Sequence, residues 1–316
     1  MSSIKAPSGI DATIVITTRD RKEDLRTAVQ SAINQTANVE VLVIDDGSSD
    51  ETSAMIREEF PQVRLHREQE SAGLIVRRNQ AAEMARGDII FSIDDDAEFS
   101  SPYVVEETLQ EFSEDCIGAV AIPYVDVRKG SDIKQRAPGD DRPYCTSAYR
   151  GTAHALRRDL FLELRGYREH FFHQGEEGDY CLRLLNAGYV VRLGDADVIK
   201  HYESPQRDLQ RMAYYGRRNE VLFLWHNAPG WHLPLHLVRT ALNAFRTAAR
   251  NGRLQDHLKG LLAGSRDCVW YLDDRSPVEP GAFRLFRRLQ RNGPIPLAEI
   301  RDRLAGWKNL SQSRGA

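Results

Sequence analysis

The chain has 316 residues, 41% hydrophobic and 28% charged, a soluble composition with room for one large core or two domains. No stretch approaches the roughly 18 consecutive apolar residues of a membrane span, and Met1 to Asp11 lacks the apolar centre of a signal peptide. The net charge of −3 is uneven: residues 231–316 carry +8 and residues 1–230 carry −11, which argues against a nucleic-acid binder and for a basic surface that meets something anionic, such as a membrane.

The elements follow in chain order. Ala12 to Thr18 is short, β-branched and apolar, a buried strand. Asp20 or a neighbour caps the next helix, whose apolar face is Leu25, Ala28, Val29, Ala32 and Ile33. Val39 to Ile44 is a second strand, running into Asp45-Asp46-Gly47-Ser48-Ser49-Asp50 and a helix through Met55 and Ile56. Val63 to His66 is a third strand, Gly73 opens a helix to Ala85, and Ile89 to Ile93 is a fourth strand. Strands alternating with helices over a hundred residues predict a mainly parallel, Rossmann-like sheet. Beyond Ser113 the pattern changes. Ala119 to Val127 reads as one strand, 128–143 as loop, Ala153 to Leu156 as a strand and Glu177 to Ala187 as a helix. Tyr189 to Leu193 and Ala196 to Ile199 read as late strands, Leu209 to Trp225 as a helix, and Leu233 to Leu262 as a basic, amphipathic helical region. The four cysteines, Cys116, Cys145, Cys181 and Cys268, form no CxxC pair, which predicts reduced thiols in a cytosolic protein rather than a zinc site.

Asp94-Asp95-Asp96, at the end of the fourth strand, is the feature with most chemistry in it. Three consecutive carboxylates repel one another, and a hard cation such as Mg²⁺ or Mn²⁺ relieves that while bridging to phosphates. Strand carboxyl ends are where open α/β sheets bind ligands. An acidic turn with no ligand has the same composition, so its company matters. In an extended segment Asp94 and Asp96 share a face. Thr17-Thr18-Arg19-Asp20-Arg21 stands at the end of the first strand and Asp46 at the end of the second, with hydroxyls, guanidinium groups and a carboxylate able to meet a base, ribose or phosphate or simply to cap helices. Arg77 and Arg78 sit early in a helix, against the dipole preference for anions there. Glu176, Glu177 and Asp179 begin a later helix, either as favourable helix-start charge or as a crowded general base. His201 ends a late strand, where a neutral imidazole can complete a metal site with Asp96. No GxGxxG follows the first strand, against a dinucleotide cofactor.

The segments TIVITTRDRKEDLRTAVQSAINQT, VEVLVIDDGSSDET, AGLIVRRNQAAEMARGDIIFSIDDDAEFS, HALRRDLFLELRGYREHF, GEEGDYCLRLLNAGY and DVIKHYES stand in this order over residues 11 to 204. Together they resemble a family 2 glycosyltransferase with the GT-A fold, of the bacterial polysaccharide or rhamnosyltransferase type. The resemblance implies a catalytic domain over 1–204, a mixed, mainly parallel sheet flanked by helices, and a mainly helical extension over 205–316. It implies an inverting transfer from a nucleoside-diphosphate-sugar, with UDP or dTDP as nucleotide by family habit, to a hydroxyl of a glycan or lipid-linked saccharide. It places Thr17, Arg19, Asp46, Arg78, Asp94 and Asp95 around the donor nucleotide, Asp96 and His201 on a divalent Mg²⁺ or Mn²⁺, and Glu177, or Glu176 beside it, as the base. Two positions depart from the family pattern: the base is glutamate rather than aspartate, and Arg165-Gly166 stands where Gly-Gly is common. Arg217-Arg218-Asn219-Glu220 with the apolar run after it resembles the region following the core in polysaccharide-synthesising members. The basic helices beyond are expected either on the cytoplasmic face of an anionic membrane, as ordinary core packing, or as a homodimer contact. A nucleotidyltransferase shares the sheet and the acidic ligands but predicts a glycine-rich phosphate loop that is absent here. A non-catalytic nucleotide-sugar or glycan-binding module predicts damaged metal or base positions, and these are filled.

Overall fold

The computed structural model describes residues 9–139, 141–203 and 208–315. In the amino-terminal half, strands β1 (Ala12–Thr18), β2 (Val39–Asp45), β3 (Arg64–Arg67) and β4 (Ile89–Asp94) alternate with helices α1 (Lys22–Ile33), α2 (Thr52–Glu59) and α3 (Leu74–Met84). The order β4-β1-β2-β3 is parallel throughout, as the alternation predicts. Then follow β5 (Ala97–Phe99), α4 (Val104–Gln110), β6 (Ile117–Ala121), β7 (Tyr124–Asp126), β8 (Ile133–Lys134), β9 (Tyr144–Thr146), β10 (Ala153–Arg157) and α5 (Arg158–Glu163). Helix α6 (Glu176–Asn186), β11 (Val190–Leu193) and β12 (Ile199–His201) close this part. The rest is helical, α7 (Leu209–Asn227), α8 (His232–Asn251), α9 (Leu254–Trp270), α10 (Pro280–Asn292) and α11 (Arg301–Gly315), with the short strand β13 (Ile295–Pro296) before α11.

The nine-stranded sheet runs β13-β9-β11-β6-β10-β4-β1-β2-β3. It is mixed because β10 lies antiparallel between β4 and β6. A second sheet, β5-β12-β7-β8, carries the residues that face the acidic strand end. Its register sets His201 opposite both Ala97 and Asp126. The core is continuous: Ile14, Ile16, Leu42, Ile44 and Phe91 of the parallel strands are joined by Leu222, Phe283, Phe286 and Leu304 from the carboxyl-terminal helices.

Several elements differ from the sequence reading, each for a local reason. The single strand expected over Ala119 to Val127 is two strands in two sheets, divided at Ile122-Pro123, where proline has no N–H for a ladder. The Leu233 to Leu262 region is two helices, broken at Gly252, which takes φ 69° as the cap of α8. The late strand expected over Ala196 to Ile199 lies at Ile199–His201. Asp20 does not cap α1; its Oδ1 accepts from the backbone N–H groups of Ser49 (2.6 Å) and Asp50 (3.3 Å) and ties the strand-one turn to the strand-two turn. The boundary expected at 204/205 falls outside the described residues, as does Ser204 of the last resembling segment. The chain beyond it adds β13 to the edge of the large sheet through β9.

Candidate active site

The parallel register brings Thr17 of β1 alongside Ile44 and Asp94, so the carboxyl ends of β1, β2 and β4 open on one side. There a cleft of about 630 Å³ is lined by Thr17, Arg19, Asp46, Asp94, Asp95, Asp96 and His201 among others. Arg78, Glu176 and Glu177 lie behind it, joined to it through Asp94.

The turn from β4 into β5, made by Asp95 and Asp96, separates the three aspartates. Asp95 turns inward, accepting from Thr18 Oγ1 at 2.8 Å and Arg21 Nη1 at 3.0 Å. Burial pushes its carboxyl up to about 7, against the pull of Arg21. Asp94 and Asp96 converge instead on His201, whose Nε2 stands 3.4 Å from Asp96 Oδ1 and 4.0 Å from Asp94 Oδ2. The ligand atoms of this trio all lie within 4.8 Å of one another. Two carboxylates and an imidazole are a donor set that suits Mn²⁺ or Mg²⁺ with open positions left for phosphate oxygens. The ring is oriented from behind: Nδ1 lies 2.6 Å from Asp126 Oδ1, which leaves Nε2 for the cleft. Burial opposes ionisation of Asp96, yet His201 and Arg21 hold its pKa down to about 2. Burial likewise opposes the imidazolium, and Asp96 and Asp126 raise His201 above its usual value.

The two early arginines of α3 have carboxylate partners at the strand ends, which resolves their conflict with the helix dipole. Gly73, at φ 93°, admits the turn that starts this helix. Arg77 Nε donates to Asp46 Oδ1 at 2.6 Å, and Asp46 also accepts from Ser71 Oγ, Ala72 N and Gly73 N. These donors fill the acceptor sites of one carboxylate, so Asp46 here organises the 71–73 loop. Thr17 Oγ1 is the opposite case, a buried hydroxyl with no hydrogen-bond partner among the described residues.

Arg78 is buried and central. Its Nη2 donates to Asp94 Oδ1 at 2.8 Å and to the Gly151 carbonyl at 3.0 Å, while Nη1 stands 3.9 Å from Oε1 of both Glu176 and Glu177. One guanidinium thus couples the acidic strand end to the start of α6. Gly151 makes this possible: a Cβ there would stand 2.6 Å from Glu177 Oε1 and 2.7 Å from Arg78 Nη1. The two glutamates differ in access. Glu176 is 3% exposed and its Oε2 has no partner among the described residues, whereas Glu177 retains 21% of its side-chain surface. Burial raises both carboxyl groups despite Arg78, and Glu177 further raises Glu176.

A raised carboxyl contributes stability at low pH that is lost as pH climbs from the unfolded value through the folded one. Glu176→Gln is therefore expected to raise Tm at neutral pH and to leave it nearly unchanged below about pH 4.5. Thermal unfolding across pH checks this; an equal gain at every pH would show that the charge of Glu176 is not what costs stability.

Sequence reasoning passed over Asp126 and Gly151, and the part of the cleft formed by the carboxyl-terminal region. Arg21, the last residue of the strand-one motif, turns back to the carboxylates of Asp95 and Asp96; Asp126 and Gly151 had no local signal. Asp208, Arg211 and Met212 line the cleft together with His173 and Gln174. Helix α7 holds that wall: Asn219 Nδ2 donates to the carbonyls of Phe171, His173 and Gln174 at 2.7–2.8 Å, and Arg218 Nε pairs with Asp267 Oδ2 of α9 at 2.6 Å. The Arg165-Gly166 departure keeps a glycine-type turn, with Arg165 at φ 61° and Gly166 at φ 56°. Asn79 clasps the residue after it, accepting from Tyr167 N at 2.9 Å and donating to its carbonyl at 2.8 Å.

This geometry has relatives. The chain is 27% identical over 195 residues to a glucosyl-dolichyl phosphate glucuronosyltransferase of Haloferax volcanii, covering 55% of this chain and 59% of that protein. It is 27% identical over 281 residues to a pre-mycofactocin glycosyltransferase of Mycobacterium tuberculosis, covering 82% and 58%. The chain thus spans somewhat under three-fifths of the length of these curated relatives. Among solved structures it superposes on a mannosyltransferase from Pyrobaculum calidifontis, PcManGT, in complex with GDP-Man and Mn²⁺, with a TM-score of 0.56 at 18% identity over 94% of this chain and 85% of that one. Staphylococcus aureus TarS superposes with a TM-score of 0.55 at 14% identity, covering 68% of this chain and 39% of that one. The fold is GT-A. The family model for glycosyl transferase family 2 matches residues 13–171, half of the chain, and the chain belongs to that family.

Proposed function

We propose that this chain is an inverting, divalent-metal-dependent glycosyltransferase. It takes a sugar from a nucleoside-diphosphate-sugar and moves it to a hydroxyl of a glycan or lipid-linked saccharide, in cell-surface polysaccharide assembly at the cytoplasmic face of a membrane. The observation that carries this reading is Arg78, which links the Asp94–Asp96–His201 trio to the carboxylates that open α6. An inverting displacement needs a held diphosphate and an acceptor base on opposite sides of one anomeric carbon, and in this reading the trio takes the first role and Glu177 the second.

Asp94, Asp96 and His201 would hold the ion, which supplies Lewis-acid stabilisation of the departing diphosphate. Arg19 and Arg211 line the same cleft and add positive charge toward phosphate. Thr17 offers its unpartnered hydroxyl to the nucleoside, and Asp46 acts through the 71–73 loop that it fixes. Asp95 anchors the strand end to Thr18 and Arg21 so that its neighbours on either side point into the cleft. Glu177, the accessible carboxylate of the pair, removes the acceptor's proton as the new bond forms. Arg78 holds that base near Asp94 and limits how far its proton affinity rises. One base and one open face give a single displacement. Residues 9–203 form the donor half in this reading, and the chain from 208 onward closes one wall of the cleft.

Two measurements test it. Transfer from a panel of nucleotide-sugars, with the product anomer read by NMR, is expected to show inversion; retention would refute the single displacement. Asp126→Asn leaves His201 without its orienting carboxylate and is expected to weaken Mn²⁺ affinity by about 10–100-fold. Calorimetric titration with Mn²⁺ and nucleotide checks it, and unchanged affinity would remove His201 from the metal site.

A further inference from the structure

Helix α8 buries one face against the fold and leaves a large apolar stripe exposed on the opposite face. His236, Thr240, Ala244 and Ala248, spaced by four, are buried against the neighbouring helices. On the other side Trp231, just ahead of the helix, and Leu235, Val238, Leu242 and Phe245 recur at intervals of four and three, the spacing of a single helical stripe. They are 69%, 41%, 60%, 51% and 51% exposed. A stripe of large apolar side chains left in water marks a surface that something covers.

The charges say what covers it. Helix α8 contains no Asp or Glu, and its charged side chains are Arg239, Arg246 and Arg250. On a helical wheel these three fall along one flank of the stripe. Helix α9 repeats the pattern, with Leu254, Leu262, Val269 and Trp270 exposed beside Lys259 and Arg266. Its acidic residues turn away: Asp267 is buried on Arg218, and Asp256 accepts from Gln210 at 3.2 Å. The next carboxylates, Asp273 and Asp274, come after the end of α9. An apolar stripe with tryptophan at its edge, flanked by arginine and free of carboxylate, is the chemistry of a helix lying in a bilayer interface. No described helix is long and apolar enough to cross a membrane.

We infer that α8, with the exposed edge of α9, docks the protein on an anionic phospholipid bilayer, the Trp231–Phe245 stripe entering the acyl boundary and Arg239, Arg246 and Arg250 meeting lipid phosphates. This deepens the membrane-facing reading given above and rests on it for the acceptor. Because α9 is tied to α7 through Arg218–Asp267, and α7 forms a wall of the cleft, docking there fixes the cleft's orientation to the lipid surface.

The test is co-sedimentation of the full chain, without donor, with vesicles of phosphatidylcholine alone and with about a third phosphatidylglycerol. Wild type is expected to bind the anionic vesicles and to release with salt. Val238→Glu/Leu242→Glu is expected to weaken binding by about tenfold or more. Arg239→Gln/Arg246→Gln/Arg250→Gln is expected to weaken it by about fivefold per charge. Both variants should retain donor hydrolysis in solution, and that readout separates failure of docking from failure of the transferase reading. Equal binding of wild type and the glutamate variant, or no preference for anionic lipid, would overturn the proposal. So would a wild-type dimer that the glutamate variant dissolves without any vesicle binding, which would assign the stripe to a second copy of this chain.

Discussion

Replacing Glu177 by glutamine is expected to lower kcat by about 10²–10⁴-fold while leaving donor KM within a few-fold. Glutamine keeps the shape and removes the basic oxygen, so binding survives and proton removal does not. The pH profile gives a second readout. Burial raises the Glu177 carboxyl against the opposing charge of Arg78, and the base works only when deprotonated. The rate should therefore fall as pH drops through a value above the ordinary glutamate 4.5. Arg78→Gln removes the cation that opposes burial and should move this acid limb further up. If Glu177→Gln retains turnover and Glu176→Gln loses it, the base is the buried neighbour, reached after a movement of the α6 start. Steady-state kinetics of both variants across pH decides between them.

Asp96→Ala is expected to remove metal-dependent turnover, a loss of about 10²–10³-fold or more, and to do so without unfolding the chain. Asp96 accepts from Arg21 at 2.8 Å and faces His201, but Arg21 has a second carboxylate in Asp95 at 3.0 Å, so the strand end stays clamped. Asp95→Ala should behave differently. It strips Thr18 and Arg21 of their shared acceptor, so its first effect is on stability, and its effect on metal affinity follows from misplacement of both neighbours. A metal titration alongside thermal unfolding separates the two; equal metal affinity in Asp96→Ala and wild type would remove Asp96 from the ion.

Much of this was legible in the chain because it is local. Strands β1, β2 and β4 are written as β-branched runs ending in polar turns, and the acidic Asp94-Asp95-Asp96 run marks the end of β4 and the tight turn into β5. What was not legible depends on long-range register. That Asp126 stands behind His201 follows from β7 pairing with β12 across 75 residues. That Gly151 leaves room for Arg78 beside Glu177 needs three separate segments to be placed at once. Asp46 ends a strand and lines the cleft, and the hydrogen bonds it accepts from the 71–73 loop, which fix that loop, needed a fold-back that the local sequence does not show. For the carboxyl-terminal helices the change of composition left membrane contact, core packing and a dimer contact open, and it took the long-range contacts of Asn219 and Arg218 to place α7 at the wall of the cleft.

The most direct test of the metal-held diphosphate is a thermal-shift panel of GDP, UDP and dTDP, each with and without Mn²⁺, on wild type and Asp96→Ala. A ligand that binds only the folded state raises apparent stability by mass action. One nucleoside diphosphate should stabilise wild type in a Mn²⁺-dependent manner, naming the base, and that dependence should vanish in Asp96→Ala. No stabilisation by any diphosphate in the presence of Mn²⁺, or the same Mn²⁺-dependent shift in both proteins, would contradict a donor site built on Asp96.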